Sequence, residues 1–348
     1  MEINIDILTS EQLNALDKMI KEAEHIVICC HKSPDGDAIG SSLGFYQLLR
    51  SAYGKEANVV IPDMMPDFLQ WLPDSDKIMR YDTHEAAVKS IFSDADLILC
   101  LDFNDSSRVD DMQPVLDAAK GKKIMIDHHL DPNMETALTI SHPEMCSTCE
   151  LVFRIAWQMG FYDSASKAFA ESIYCGMMTD TGGFTYNSTR SEIFFIVCQL
   201  LTKNIDKDKI YRNVFNNYSS WAIRLRGHLL CDKLNVFEDL HASYYALTKQ
   251  DMDDYHFIKG DVEGLVNEPL RIKGMKLSIS MREDNRKANK IWVSVRSVDD
   301  FPANKVAEQF FNGGGHLNAA GGHLECSIDE ACLIARKAIN AFAEELKK

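Results

Sequence analysis

Aspartate and histidine residues are gathered in four short clusters of this chain. The clusters are His31-Lys-Ser-Pro-Asp35-Gly-Asp37, Asp102-Phe-Asn-Asp105, Asp127-His128-His129 and the segment Thr-Asp180-Thr-Gly-Gly. Carboxylates with a few imidazoles suit Mn²⁺, with Mg²⁺, Co²⁺ or Fe²⁺ as alternatives, whereas structural zinc sites usually include thiolates. We therefore interpret the clusters as ligands of a multi-metal site, the kind of site that binds a small phosphate ester.

Each cluster also has a simpler interpretation. An aspartate at the end of a strand usually caps the next helix, which would account for Asp102 or Asp180 taken alone. His31 could be a hydrogen-bonded core residue, and His128 and His129 could belong to a polar loop. The joint occurrence of four clusters favours the ligand interpretation, because independent caps and loops have no reason to combine these two residue types.

Three of the clusters directly follow short aliphatic segments, at residues 25–30, 96–101 and 123–126. Continuous apolar runs of this length, separated by helical segments, are typical of parallel strands buried on both faces. Ligands of open α/β sheets bind outside the carboxyl ends of the strands. The sequence therefore predicts an α/β fold in which the clusters converge at one edge of a mostly parallel sheet.

Helical segments are expected next to the first and the last cluster. Residues 36–50 have apolar side chains at helical spacing, so Asp35 and Asp37 are predicted to lie at a helix N-terminus. Residues 172–180 are predicted to form a buried helix or its end, since the glycines that follow break it and leave Asp180 beside a loop. A carboxylate that follows such an apolar segment is not expected to be simply a solvated surface residue.

The length of 348 residues indicates two domains. Residues 191–204, 208–217 and 221–230 are predicted to form connecting helices, and we place the boundary near residue 210, giving domains 1–210 and 211–348. Strand alternation follows at residues 275–281 and 290–298, and a helix is expected at residues 300–310.

A glycine-rich segment after these elements is a candidate for substrate binding. Successive glycines let a backbone approach a ligand closely and present N–H groups to an anion, although a flexible loop is the simpler alternative. Arginine can contact a phosphate through two parallel hydrogen bonds. The predicted substrate contacts are Gly313, Gly314, Gly315, His316, Arg296, Ser297 and, as a candidate that could equally be a surface residue, Arg108.

Composition limits the partners and the location of the protein. The formal charge of −15 argues against a protein that holds long duplex nucleic acid, and the apolar runs are shorter than the roughly 20 residues of a membrane span. The first residues lack the basic start and apolar stretch of a secretory signal, so a cytoplasmic location with reduced cysteines is expected. The oligomeric state stays open, with a homodimer as one alternative.

Cys146 and Cys149 form an isolated C-x-x-C pair. Such a pair could be a redox motif or half of a zinc site, but a second pair of ligands at usable spacing is missing from the sequence. We interpret the two cysteines as small buried residues at the start of a helix.

Taken in order, the four clusters resemble the motifs of the DHH phosphoesterase superfamily. Residues 313–322 with Val295-Arg296-Ser297 are similar to the nucleotide-binding signature of the DHHA1 domain. The resemblance implies a mostly parallel-sheet DHH domain with flanking helices, a smaller C-terminal α/β DHHA1 domain and an active site in the cleft between them. Size and domain pairing are most similar to the bacterial oligoribonuclease and pAp-phosphatase group, whereas exopolyphosphatase relatives end in a different C-terminal domain.

The resemblance also implies a role for each cluster. His31 and Asp35 would hold one Mn²⁺; a second Mn²⁺ would be held by Asp37, His128 and Asp180. The bridging residue would be Asp102. Two such ions neutralise a phosphate ester and activate a water for its hydrolysis. Asp127 would orient an imidazole, and His129 would face the substrate phosphate or protonate the leaving group.

The implied substrates are small nucleotides: 3′-phosphoadenosine 5′-phosphate (pAp), dinucleotides and short oligoribonucleotides. Two alternatives stay open. The chain could be a phosphodiesterase of cyclic or linear dinucleotides, or a nucleotide-binding regulator that no longer catalyses hydrolysis. A regulator would be indicated by a missing ligand, and all of the expected ligands are present in the sequence.

Overall fold

A computed structural model describes residues 3–348 of the chain. These residues divide into a first compact unit that ends at Asn217 and a second unit, Tyr218–Lys348. Both units combine helices with a β-sheet, so the fold is α/β, as predicted. Within the described part of the chain, every helix is too short or too polar to cross a bilayer.

The elements of the first unit alternate between strands and helices. Its helices are α1 (Ser10–Glu22), α2 (Gly36–Leu48), α3 (Tyr81–Asp94), α4 (Gln113–Ala118), α5 (Thr148–Gln158), α6 (Lys167–Asp180), α7 (Ser191–Thr202) and α8 (Lys207–Phe215). Its strands are β1 (Ile26–Cys29), β2 (Ala57–Ile61), β3 (Met79–Arg80), β4 (Leu97–Leu101), β5 (Lys122–Asp127) and β6 (Leu138–Ser141).

The strands of the first unit form one parallel sheet in the order β3-β2-β1-β4-β5-β6. All residues of β1 and β4 are buried, as expected for strands covered on both faces. In register, Cys29 pairs with Cys100 and Leu101 pairs with Ile126, so β1, β4 and β5 end side by side. The three strands that precede the polar clusters are therefore direct neighbours, and their carboxyl ends meet at one edge.

Helices α2 and α6 lie unusually close together because of glycines in α2. A Cβ atom on Gly40 would lie 2.6 Å from the carbonyl oxygen of Ser172, and one on Gly36 would lie 2.3 Å from Oγ1 of Thr179. Only glycine leaves room for such an approach. This packing brings the carboxyl end of α6, with Asp180, next to the N-terminus of α2.

The second unit contains the helices α9 (Ser220–Cys231), α10 (Lys249–Asp254), α11 (Ala303–Phe310), α12 (Ile328–Ala341) and α13 (Ala343–Leu346). Its strands are β7 (Asn235–Phe237), β8 (Ala242–Leu247), β9 (Leu277–Glu283), β10 (Lys290–Ser297), β11 (Gly314–Gly315) and β12 (Ala319–Glu325). They form a sheet in the order β11-β12-β10-β9-β8-β7, in which β8 and β9 are parallel and the other pairs antiparallel. Buried residues alternate along β10, as predicted.

The division between the units comes after α8. The predicted boundary near residue 210 lies inside this helix, whose buried residues Ile210 and Val214 belong to the hydrophobic core of the first unit. Because α8 packs against the core of the first unit along its length, the whole helix belongs to that unit. The connecting helices predicted at 191–204 and 208–217 correspond to α7 and α8, and the one at 221–230 corresponds to α9.

Candidate metal centre

Polar side chains follow β1, β4 and β5 at the edge where these strands end. His31 lies two residues after β1, Asp102 follows β4 directly, and Asp127 is the last residue of β5, with His128 after it. All four side chains are buried. The convergence expected from the topology is therefore present in the first unit.

The N-terminus of α2 and the end of α6 add three carboxylates. Asp35 is the N-cap of α2, and its Oδ1 accepts hydrogen bonds from the N–H groups of Asp37 and Ala38, both at 3.0 Å. Asp37 lies in the first turn of α2 and is fully buried. Asp180 is the last residue of α6 and stays partly exposed. The N-terminus of α2 favours the negative charges of Asp35 and Asp37.

The first group of side chains consists of His31, Asp35 and Asp102, whose nearest ligand atoms all lie within 4.8 Å of one another. His31 Nε2 is 3.4 Å from Asp102 Oδ2 and 3.9 Å from Asp35 Oδ2. The other ring nitrogen, Nδ1, lies 2.8 Å from the carbonyl oxygen of Lys32. Because a carbonyl can only accept, Nδ1 carries the proton and Nε2 presents its lone pair to the group.

The second group consists of Asp37, His128 and Asp180, whose nearest ligand atoms also lie within 4.8 Å of one another. His128 Nε2 lies 3.3 Å from Asp180 Oδ2 and 3.8 Å from Asp37 Oδ2. Its Nδ1 is 3.2 Å from the carbonyl oxygen of Met145, so this ring also directs Nε2 inward. His128 Nε2 is in addition 3.5 Å from Oδ1 of Asp102.

Asp102 lies between the two groups, with Oδ2 near His31 and Oδ1 near His128. Its backbone has a φ of 64°, in the left-handed region that aspartate adopts more readily than most residues. The N–H group of Asp102 donates to the carbonyl oxygen of Ile126 on the neighbouring strand at 3.1 Å. This unusual conformation turns the carboxylate toward both groups and accounts for its central place.

The acid–base properties of the cluster fit a site for cations. Burial, together with the neighbouring carboxylates, raises the pKa of Asp102 well above its ordinary value. Burial and the charge of Asp37 raise the pKa of Asp180 to about 7. Although burial opposes it, the carboxylates Asp180, Asp102 and Asp37 hold the pKa of His128 well above its usual range. Carboxylates that repel one another in this way are stabilised by positive charge, and oxygen-rich donor sets with imidazole suit Mn²⁺ and similar ions.

His129 and Asp127 form a hydrogen-bonded pair that also lies close to Asp102, with His129 Nδ1 3.8 Å from Asp102 Oδ1. The Nδ1 atom of His129 lies 2.7 Å from Asp127 Oδ1, and the backbone N–H of His129 donates to Asp127 Oδ2 at 3.0 Å. Burial lowers the pKa of His129, which Asp127 partly offsets. Asp127 therefore orients His129, whereas the ring of His128 is held by a backbone carbonyl.

Arg108 is exposed in the short helical segment Ser106–Met112 that follows β4. Its carbonyl oxygen accepts a hydrogen bond from the N–H group of Lys32 at 2.8 Å, which ties the loop after β4 to the loop after β1. Burial is the largest cause of the lowered pKa of His129, and the charges of His128 and Arg108 lower that pKa further. The guanidinium is thus close enough to act electrostatically on that imidazole.

The start of α5 donates hydrogen bonds to two of the carboxylates, a contact that was not predicted from the sequence. The N–H groups of Thr148 and Cys149 donate to Asp37 Oδ2 and Oδ1 at 2.6 Å and 2.8 Å. The hydroxyl of Thr148 donates to Asp102 Oδ1 at 3.0 Å. The signal for this helix start was present as Ser147 followed by Glu150, the spacing of a capping box. Ser147 is indeed the N-cap and accepts from the N–H of Glu150.

Cys146 and Cys149 are buried on either side of this helix start, as predicted. Burial raises the pKa of both thiols well above the ordinary value. The thiols are therefore neutral at physiological pH, whereas zinc binding and disulfide exchange require thiolates. The structure supports the interpretation of the pair as packing residues.

In the second unit, Arg296 and Ser297 lie at the end of β10. The guanidinium of Arg296 is half-buried and donates from Nη1 to the carbonyl oxygens of Val295 and Ala320, at 3.0 Å and 3.2 Å. Ser297 is buried; its hydroxyl donates to the carbonyl oxygen of Phe301 at 2.6 Å and accepts from Asn318 Nδ2 at 2.9 Å. The Ser297 hydroxyl therefore fastens the loop after β10 to the turn before β12.

The glycines of the second unit have a packing role that was not predicted. A Cβ atom on Gly313 would lie 1.8 Å from the carbonyl oxygen of Gly321, and Gly315 has a φ of 141° with Ala319 O 2.6 Å from such an atom. Gly314 and Gly315 form β11, and the N–H of Gly313 donates to Ala307 O. These glycines allow the chain to fold tightly back onto β12.

Gly314 and His316 differ from the two tightly packed glycines. A Cβ atom on Gly314 would meet none of the described atoms within 4 Å. The N–H of His316 donates to the carbonyl oxygen of Ala319 at 2.9 Å, which closes the turn between β11 and β12. His316 and Gly314 thus lie at a hairpin turn, and the backbone of Gly314 leaves room there for a side chain.

Comparison with known proteins gives the family. Residues 25–177 match the N-terminal domain of the DHH family, and residues 244–346 match the DHHA1 domain. A bifunctional oligoribonuclease and PAP phosphatase from Thermus thermophilus is 30% identical, over 97% of this chain and 95% of the relative. A cyclic-di-AMP phosphodiesterase from Listeria monocytogenes is 24% identical over 94% of this chain, which spans 49% of that longer protein.

A crystal structure from Bacteroides fragilis, described as an exopolyphosphatase-related protein, is 47% identical in sequence. Its TM-score is 0.92, with 98% of this chain and 99% of that chain covered. Both matched domains and a relative similar over nearly its whole length lead to one conclusion: the chain belongs to the DHH–DHHA1 family of phosphoesterases, hydrolases of phosphoric ester bonds.

Proposed function

We propose that this phosphoesterase depends on two divalent cations and hydrolyses small nucleotide substrates: pAp, dinucleotides and short oligoribonucleotides. The observation that carries the proposal is the place of Asp102. Its two carboxylate oxygens lie near His31 on one side and near His128 on the other, at 3.4 Å and 3.5 Å. A carboxylate placed between two ligand groups can serve two adjacent cations at once, which supports a two-cation site.

The proposed ligands follow the two groups of side chains. His31 and Asp35 would hold one cation; the other would be held by Asp37, His128 and Asp180. Asp102 would serve both. Mn²⁺ is the preferred ion for this donor set, with Mg²⁺, Co²⁺ or Fe²⁺ as alternatives. When bound, such a pair supplies charge neutralisation for the phosphate and activates a water for attack on phosphorus.

His129 is the proposed acid–base residue of the chain. Asp127 engages its Nδ1 at 2.7 Å, which leaves Nε2 as the nitrogen that would contact the scissile phosphate or protonate the leaving oxygen. Although burial opposes it, the hydrogen bonds from His129 and the charges of His129 and His128 together hold the pKa of Asp127 below its ordinary value. An ionised Asp127 would stabilise the imidazolium that forms whenever His129 takes up a proton.

The choice of small nucleotides is supported by the relative from Thermus thermophilus, which is named for oligoribonuclease and PAP-phosphatase activities. The second domain would supply substrate contacts: Arg296 for a phosphate, and the turn of Gly314 and His316 for the remainder of the nucleotide. Hydrolysis of cyclic or linear dinucleotides is the second candidate, supported by the relative from Listeria monocytogenes.

A substrate panel with purified protein and Mn²⁺ tests the proposal. The panel contains pAp, the linear dinucleotide pApA, cyclic di-AMP, a long oligoribonucleotide and inorganic polyphosphate. We expect release of phosphate from pAp and of mononucleotides from pApA, with both activities abolished by EDTA and restored by Mn²⁺. The Asp102→Asn variant, which keeps the shape of the side chain but removes its charge, is the matched control and should be inactive.

Each other outcome of the panel assigns a different activity. Hydrolysis of cyclic di-AMP in preference to pAp would favour the second candidate. Polyphosphate as the sole substrate would overturn the choice of nucleotides and is included because of the description of the Bacteroides fragilis protein. Nucleotide binding without any turnover would identify a regulator and contradict the proposal.

A further inference from the structure

The segment Met145 to Glu150 contacts three of the proposed metal ligands at once. The carbonyl oxygen of Met145 lies 3.2 Å from Nδ1 of His128. The N–H groups of Thr148 and Cys149 donate to Asp37. The hydroxyl of Thr148 reaches a third ligand, Asp102. One short segment thus contacts a ligand that follows β5, a ligand in α2 and the shared carboxylate after β4.

A buried ion network fixes this segment. Glu150 is fully buried and accepts hydrogen bonds from Arg154 Nη2 and from Arg190 Nη2, both at 2.7 Å. Its Oε2 also accepts from the N–H group of Cys146 at 2.8 Å. Two arginines contact the one carboxylate, so the negative charge of Glu150 is paired and its hydrogen bonds are satisfied inside the protein. These contacts of Glu150 hold the start of α5 in place next to the ligands.

We propose that Thr148 is a positioning residue for Asp102. The inference rests on the proposed two-cation function and assigns a residue that acts through the shared carboxylate. Thr148 is fully buried, and its hydroxyl donates to Asp102 Oδ1, the oxygen on the side of His128. This bond fixes the rotation of the carboxylate, so that Oδ1 faces the second group while Oδ2 faces the first.

The hydroxyl is separable from the other contacts of Thr148. The backbone N–H of Thr148 donates to Asp37, and any substitution except proline retains that bond. Thr148→Val keeps the shape and the β-branching and removes only the donor to Asp102. Thr148→Ser keeps the donor and removes only a methyl group. The two variants therefore separate the effect of the hydrogen bond, which only Thr148→Val removes, from the effect of the methyl group, which only Thr148→Ser removes.

The test measures the affinity for Mn²⁺ of the wild type and of both variants in two ways. Calorimetry measures binding of Mn²⁺ without substrate, and kinetics give the Mn²⁺ concentration for half-maximal hydrolysis of pAp. Loss of a residue that orients a ligand typically weakens metal binding by about 10- to 100-fold. We therefore expect a loss of Mn²⁺ affinity of about that size for Thr148→Val, and a change within about threefold for Thr148→Ser. KM for pAp, measured at saturating Mn²⁺, should stay near the wild-type value in both. Thermal unfolding in EDTA reports whether the variants fold.

The outcomes separate the inference from the proposed function. If the wild type binds Mn²⁺ and hydrolyses pAp while Thr148→Val binds Mn²⁺ equally well, the role of Thr148 is wrong and the proposed function stands. If the wild type neither binds Mn²⁺ nor requires it, both fail. Should Thr148→Val not fold, Thr148→Ala provides the same measurement; if neither folds while Thr148→Ser does, the hydroxyl is structural and the inference is overturned.

Discussion

His129 and Asp127 are joined twice, through the imidazole Nδ1 at 2.7 Å and through the backbone N–H at 3.0 Å. Asp127 is fully buried at the end of β5, so both of its oxygens are held in place by the protein. The two bonds fix the position of His129 as well as the rotation of its ring. A ring held in this way is already oriented for the contact with substrate that we propose for His129.

Replacement of His129 should therefore affect turnover more than metal binding. For His129→Ala we expect kcat for pAp to fall by about 10²- to 10⁴-fold, the usual contribution of a general acid or base. Mn²⁺ affinity, measured by calorimetry, should stay near that of the wild type. Asp127→Asn should show a smaller loss with an altered pH profile. Loss of Mn²⁺ binding in His129→Ala would show that His129 is a ligand instead.

Removal of the shared carboxylate should affect both cations. Asp102→Ala removes a member of the first group and the carboxylate oxygen that lies 3.5 Å from His128 of the second, and we expect abolished turnover and a Mn²⁺ stoichiometry well below that of the wild type. Asp180→Asn removes a member of one group only and should lower the affinity for one of two ions. Metal analysis of dialysed protein measures the stoichiometry. An active Asp102→Ala protein would contradict the bridging role.

The strand-end clusters were predictable because their signals are local. Apolar runs before Asp102 and Asp127 mark strands, and parallel topology then requires their ends to meet. The contacts of Thr148 with Asp37 and Asp102 were not predictable, because a helix start with a serine N-cap occurs in most proteins and these partners lie far away in sequence. The same holds for Gly313, whose close neighbour Gly321 becomes visible only once β11 and β12 are paired.

The pH dependence of stability in the metal-free protein should reflect Asp180. Burial, with the charge of Asp37, raises its pKa from 3.8 to about 7. Between these values the folded protein keeps a proton that the unfolded chain has released, so stability falls as the pH rises, by at most about 1.4 kcal/mol per pH unit for one proton. The contribution of Asp180 to stability is fully present below the ordinary pKa of 3.8 and is lost as the pH rises through the raised pKa of about 7. Thermal unfolding in EDTA at a series of pH values measures it.

Asp180→Asn is the control for this pH dependence, because it removes the titrating group. Its unfolding temperature should fall less steeply over the same range. Added Mn²⁺ should stabilise the wild type more at alkaline than at acidic pH, since cations and protons compete for the same carboxylates. Equal slopes for the variant and the wild type would exclude Asp180 as the source.

Substitution of Arg296 should weaken substrate binding. For Arg296→Ala we expect a higher KM for pAp with a smaller change in kcat, because the residue would contact a phosphate remote from the bond that is cleaved. Arg296→Lys should restore only part of the affinity, since an ammonium cannot make the same paired contacts. Unfolding temperatures control for the loss of the bonds to Val295 and Ala320. An unchanged KM would remove Arg296 from the substrate site.

Two neighbouring glycines should respond differently to alanine. In Gly313→Ala the new Cβ would lie 1.8 Å from the carbonyl oxygen of Gly321, so the hairpin must shift, which we expect to cost about 1–3 kcal/mol of unfolding free energy. Gly314→Ala meets none of the described atoms within 4 Å and should change stability by less than about 0.5 kcal/mol. If the turn binds the nucleotide, Gly314→Ala should instead raise KM for pAp. Denaturant unfolding and kinetics on both variants separate packing from binding, and a stable Gly313→Ala protein would contradict the packing role.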